Sequence, residues 1–178
     1  PDINSSFYAL IYSTIRHSQM TIKRLLAEEY NKLDYESRKA YRIVSLIQSF
    51  RTKPLLSLIL SSQAIDQDWL YSQVKTGTLS GVLRFTDYNR SLLTPNRIIA
   101  EAISDVAFRT SEERKLALGT LISSVTFGDL SEMTFLHSLL NFRIEFDIGP
   151  RLSIDDKIDL FRKGVQAVKS RPLLIHLG

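Results

Sequence analysis

Residues 35–101 restrict the possible folds more than any other stretch. They open YESRKAYRIVSLIQSF, continue PLLSLILSSQAIDQDWLYSQVKTG and close LSGVLRFTDYNRSLLTPNRIIAE. Asp34 can cap a helix over 35–50, on which Ala40, Ile43, Val44, Ile47 and Phe50 recur at helical spacing as one buried stripe. That helix must end before Pro54, because the residue preceding a proline is pushed out of the helical region. Pro54 suits the first turn of a short helix over 55–61. Leu55, Leu56, Leu58, Ile59 and Leu60 are too many apolar residues for a single stripe, so this helix is expected to be buried on most sides.

After a turn at 63–65, Asp66 or Asp68 starts a third helix carrying Trp69, Leu70, Gln73 and Val74, with Gly77 expected as its left-handed cap. Residues 78–86 alternate loosely through Leu79, Val82 and Phe85. Asp87, Tyr88, Asn89 and Arg90 then supply turn chemistry before Leu92 and Leu93, which predicts a hairpin with strands of about nine and about four residues. Pro95 or Asn96 opens a further helix through Ile98, Ile99, Ala102, Ile103 and Val106. Three short helices followed by a hairpin is the order of a winged helix-turn-helix. The expected fold class is therefore mainly α, a winged helix-turn-helix with a small β-hairpin wing at 34–108.

The flanks read as helices. Phe7, Leu10, Ile11 and Thr14 predict one over 3–15, and Ile22, Leu25, Leu26 and Tyr30 share a face of a second over 20–32, where Arg24 and Glu28 stand four residues apart. Together they form an N-terminal helical pair, residues 1–33. Beyond Ala107, Ser111 is expected to cap a helix with Glu112 and Glu113 in its first turn and Leu118, Leu121, Ile122 and Val125 inside. Gly128 and Asp129 break it. Met133, Leu136, Leu140 and Ile144 mark the next, which Gly149 and Pro150 end. Ser153 and Asp156 then form a capping box before Ile154, Ile158, Phe161, Val165 and Val168. Residues 109–178 are thus expected to be an α-helical hairpin arm leading toward a repeat array.

Several chemistries find no residues to run on. The chain has no cysteine, and His17, His137 and His176 lie far apart, so disulfides, thiolate sites and a zinc cluster are not expected. Gly77 and Gly81 are not followed by the Lys-Ser or Lys-Thr pair of a phosphate loop, and no Gly-x-Ser-x-Gly elbow occurs. The pairs Glu28/Glu29, Glu112/Glu113 and Asp155/Asp156 are adjacent in sequence and diverge on a helix, so they read as solvated or capping groups. No enzyme, metal or cofactor is expected within these residues. Neither a membrane span nor a signal segment is visible, which predicts a cytoplasmic protein. The opening at Pro1 and the apolar PLLIHLG at the end suggest a piece of a longer polypeptide.

The net charge of +4 and a pI near 9.4 leave nucleic acid as a possible partner. The basic residues are nevertheless scattered, where a nucleic-acid footprint gathers them on one face. If the third helix entered a groove, Gln73 and Lys75 would be its useful donors and Arg84 and Arg90 those of the wing, while Asp66 and Asp68 would oppose phosphate. Trp69 has two readings, core anchor or base-stacking platform. A helical adaptor binding a partner protein is a third possibility, compatible with the apolar ends.

The run KAYRIVSLIQSFRTKPLLSLIL, followed by SGVLRF and RIIAEAI, resembles the winged-helix segment that follows the nucleotide-binding core in STAND-type ATPases, the AAA+-related signal-transduction ATPases with numerous domains. That class includes prokaryotic antiviral defence proteins. The resemblance spans residues 40–103 and rests on hydrophobic pattern. It implies a segment without catalysis of its own, packed on an intramolecular nucleotide-binding core that holds ATP or ADP, leading to a C-terminal sensor, in a protein that oligomerises when activated. It also implies phosphate sensing just before the IIAE helix, where many members carry a histidine; here Asn96 stands at that place, followed by Arg97.

Overall fold

The computed structural model describes residues 19–126, 128–140 and 152–168. The expected helix over 3–15, His17, His176, Ile144, Gly149 and Pro150 lie outside them. Within them the chain is mainly helical, with one small antiparallel sheet. The order is α1 (Gln19–Lys32), α2 (Tyr35–Ser49), α3 (Leu56–Gln63), α4 (Gln67–Lys75), β1 (Arg84–Thr86), β2 (Ser91–Leu93), α5 (Arg97–Ala107), α6 (Ser111–Ser123), α7 (Leu130–Leu140) and α8 (Ile154–Val168). No helix among the described residues is long and apolar enough to cross a membrane.

The core is built around α2. Asp34 starts it, its carboxylate accepting from the Ser37 amide at 2.9 Å and the Ser37 hydroxyl at 2.6 Å. Those bonds, the hydroxyl's first, hold the Asp34 carboxyl below the ordinary range. Ala40, Ile43, Val44, Leu46 and Ile47 have no exposed surface. Burying each large aliphatic side chain here stabilises by about 1.5–3 kcal/mol. α2 and α5 make the most extensive helix pairing among the described residues, and the small residues Ala40 and Ser45 on α2 and Ala100 and Ser104 on α5 are buried.

α2 ends before Pro54 as expected, within one residue of the boundary read from the sequence. It stops at Ser49, and Arg51 takes a left-handed backbone (φ 56°) before Pro54 is reached. α3 buries Leu56, Leu58 and Ile59 against α2 and α6, as its apolar composition requires, and closes on a left-handed Ala64 (φ 50°). Asp66 caps α4, accepting from the Trp69 amide at 2.7 Å. Trp69 packs partly buried on the core.

The hairpin is shorter than its sequence suggested. Arg84, Phe85 and Thr86 pair with Leu93, Leu92 and Ser91, giving three residues a side. Residues 79–83 are a turn instead of strand, because Leu79 and Leu83, four apart, are both buried and the Leu83 amide bonds back to the Leu79 carbonyl at 2.9 Å. Gly77 is not left-handed either. A Cβ there would meet the Gln73 Cα at 2.8 Å, so glycine is needed for close approach to the preceding turn. Leu55 makes an isolated bridge to Ser91, adding one residue of a third strand to β2.

Three further helices follow among the described residues. The cap of α6 is Thr110, one residue before the expected Ser111, in a capping box with Glu113. Lys115 on α6 reaches Asp156 and Asp159, and a Cβ on Gly119 would face Leu160 and Lys163 one turn on. Residue numbers rise together on both helices, so α6 and α8 run in the same direction. Leu136 and Leu140 of α7 lie against Gly164 of α8.

Candidate functional site

The segment joining β2 to α5 is fixed by a side chain from α2. Gln48 Oε1 accepts from the Thr94 amide at 3.0 Å. The buried Thr94 hydroxyl lies 3.1 Å from that same oxygen and 2.7 Å from the Asn96 carbonyl. A hydroxyl has one proton, and the shorter contact marks the Asn96 carbonyl as its acceptor. Asn96 is therefore held in extended backbone as the cap of α5, with its Oδ1 accepting from the Ile99 amide at 2.9 Å. Its amide NH2 makes no hydrogen bond among the described residues. Arg97 follows with its Nε on Glu101 Oε1 at 2.6 Å, and the Glu101 side chain is 8% exposed. The structure thus brings Asn96 and Arg97 together at the positive end of a helix that runs into the core.

The four residues suggested for nucleic acid are not gathered in the same way. Gln73 Oε1 accepts from the Thr78 amide at 3.0 Å, while the Thr78 hydroxyl, 3.1 Å away, lies closer to Ser37 Oγ at 2.9 Å. The Lys75 ammonium lies 5.9 Å from the Tyr71 ring centre, and Tyr71 stacks on Phe85 of β1 at 4.5 Å. Arg84 precedes Phe85 on the strand, and strand alternation directs it to the opposite face. Arg90 is exposed at the end of the turn, beside the ion pair of Lys53 with Asp87.

Further contacts of consequence were not visible in the sequence. Asp105 on α5 binds Lys23 of α1 at 2.9 Å and Arg114 of α6 at 2.7 Å, with Asp105 and Arg114 side chains each 9% exposed. Buried Glu132 on α7 accepts from the Ser57 hydroxyl of α3 and from the Thr126 amide, both at 2.7 Å. Each links the unit around α2 to the helices that follow. Spacing cannot reveal them, because the partners stand 82 and 75 residues apart in the two longest cases.

Between α6 and α8, Lys115 holds Asp156 and Asp159 at 2.9 Å each. The hydrogen bonds that the Lys115 ammonium donates, to Asp159 first and then to Asp156, raise it above its ordinary value. Hydrogen bonds from Lys115, then from the Ser153 hydroxyl and amide, bring Asp156 down to about 2. Ser153 and Asp156 do form the capping box read from the sequence, with the Ser153 hydroxyl also 3.0 Å from the Asp156 amide. Among the described residues no group of three or more histidine or acidic side chains could hold a metal ion. The chain matches no protein-family model, no curated protein and no solved structure.

Proposed function

We propose that this chain is a regulatory segment, without catalysis of its own, of a larger STAND-like ATPase. In this reading α2–α4 and the hairpin are a winged helix, and α6–α8 are a helical arm that passes nucleotide state to a C-terminal sensor. The observation that carries it is the corner Gln48–Thr94–Asn96, which fixes the start of α5 to the central helix α2. A ligand phosphate met by the Asn96 amide and Arg97 would act on the most extensively packed helix pair among the described residues. Asp105 and Glu132 would carry the displacement into the arm.

Such coupling requires two arrangements of the interface between this segment and a nucleotide core, with ADP favouring the closed one. The order of helix, bridging residue, two helices and hairpin supports the winged-helix assignment. The setting proposed is a cytoplasmic signalling protein, with antiviral defence as one example, that oligomerises when activated. The test is ADP release from the parent polypeptide. Asn96→Asp keeps the helix cap but places a negative charge where phosphate would lie, and Arg97→Gln removes a cation. Both variants should release ADP at least tenfold faster. Unchanged release would sink the assignment.

A second reading is a winged-helix DNA-binding regulator. Tyr88 favours it, because this aromatic is fully exposed at the tip of the hairpin, flanked by exposed Asn89 and Arg90. Other cations are engaged within the protein, among them Lys23, Lys39, Arg114 and Lys115, which favours the first reading.

A further inference from the structure

We propose that a cleft between the β1–β2 turn and α7 binds a small phosphorylated molecule bearing hydroxyl groups. The proposal does not rest on the STAND reading and concerns a site separate from Asn96 and Arg97. The cleft holds about 470 Å³, within the range of roughly 300–1,000 Å³ typical of small-molecule sites. Three parts of the chain build it: the segment before α3, the turn of the hairpin and one face of α7.

Its charge favours an anion. Lys53 and Arg90 line it with one carboxylate, Asp87, which leaves one positive charge in excess. Asp87 is paired with Lys53, and Arg90 has no ion pair among the described residues. A guanidinium left open in this way is suited to bidentate recognition of phosphate oxygens.

Hydroxyls supply the neutral part of the lining. Ser131, Thr134 and Ser138 recur at three- and four-residue steps, so they form one row along α7. The Thr134 hydroxyl turns back to the Leu130 carbonyl at 2.7 Å, whereas those of Ser131 and Ser138 make no hydrogen bond among the described residues. Across the cleft Ser91, 1% exposed, adds a further hydroxyl-bearing residue to the lining. Leu55 and Phe135 add apolar surface for the body of the molecule.

The test is calorimetric titration of the 178-residue chain with ribose 5-phosphate and with AMP, alongside ribose, adenosine and inorganic phosphate. At least one of the two phosphorylated probes should bind saturably, and at least tenfold more tightly than its unphosphorylated counterpart and than inorganic phosphate. Arg90→Gln should weaken that binding at least tenfold, and Ser138→Glu should abolish it. Both positions are exposed, so an unchanged melting temperature would show that the fold is kept. The proposal is overturned by any of these results: neither phosphorylated probe binds, the unphosphorylated probes or inorganic phosphate bind as tightly, an oligonucleotide duplex displaces the bound probe, or the two variants bind like the parent.

Discussion

In the proposed reading Asn96 serves two requirements with one short side chain. Its oxygen caps α5 and its NH2 group is what could meet a phosphate, so truncation and charge change test different things. Asn96→Ala should lower the unfolding free energy by about 1 kcal/mol, the usual value of a helix cap, and Asn96→Asp should change it little. Urea denaturation of the two variants checks this, and equal losses would mean that the cap does not stabilise α5. Caps were the most legible feature of the sequence. Asp34 stands directly before an apolar-periodic run, the next two starts leave Asp66 or Asp68 and Pro95 or Asn96 open, and in the structure Asp34, Asp66 and Asn96 each accept a backbone amide. The error at Ser111 was avoidable, since Thr110 and Glu113 have the spacing of a capping box and Ser111 lacks an acid three residues on. Gln48 was not legible at all, because its role depends on a threonine 46 residues away.

At the scale of elements, apolar period identified the helices well and the hairpin poorly. Leu79, Val82 and Phe85 can be read as a loose alternation, but Leu79 and Leu83 are the buried pair, and their four-residue step belongs to a turn. The short apolar stretch therefore satisfied two periods at once, and packing chose between them. Glu132 shows the same limit for polar groups. It sits in the first turn of α7, a position where acids are common for electrostatic reasons alone, yet it is buried and bound to α3. Replacing it with alanine leaves the Thr126 amide and Ser57 hydroxyl without their acceptor. Both residues have access to water, so the expected loss is about 1–2 kcal/mol. Glu132→Gln should lose less than half as much, since it keeps an acceptor. If thermal unfolding ranks the two variants the other way, Glu132 does not fasten α7 to α3.

For the whole molecule, Asp105 and Glu132 tie the arm to the unit around α2, and the charged cluster of Lys115, Asp156 and Asp159 joins α6 to α8 within the arm. The cluster gives the arm a defined acid response. Asp156 titrates at about 2 in the folded chain against an ordinary 3.8, so its contribution is fully present above 3.8 and is lost as pH falls toward about 2. Asp156→Asn should therefore destabilise the chain near neutral pH, with the gap from the parent narrowing across that window. A gap independent of pH would mean that the carboxylate is not what joins the helices.

The resemblance to STAND-type winged helices was drawn from hydrophobic pattern in residues 40–103, and that pattern describes a core without naming what the surface meets. Because several of its cations pair internally, we propose that the surface meets protein and not nucleic acid. Fluorescence anisotropy of labelled duplex DNA with the 178-residue chain, at low salt and near physiological salt, tests this claim most directly. Packing against protein predicts at most weak binding that disappears near physiological salt. Binding that persists there, and weakens when Lys75, Arg84 and Arg90 are replaced by glutamine, would contradict it and make the hairpin a DNA contact.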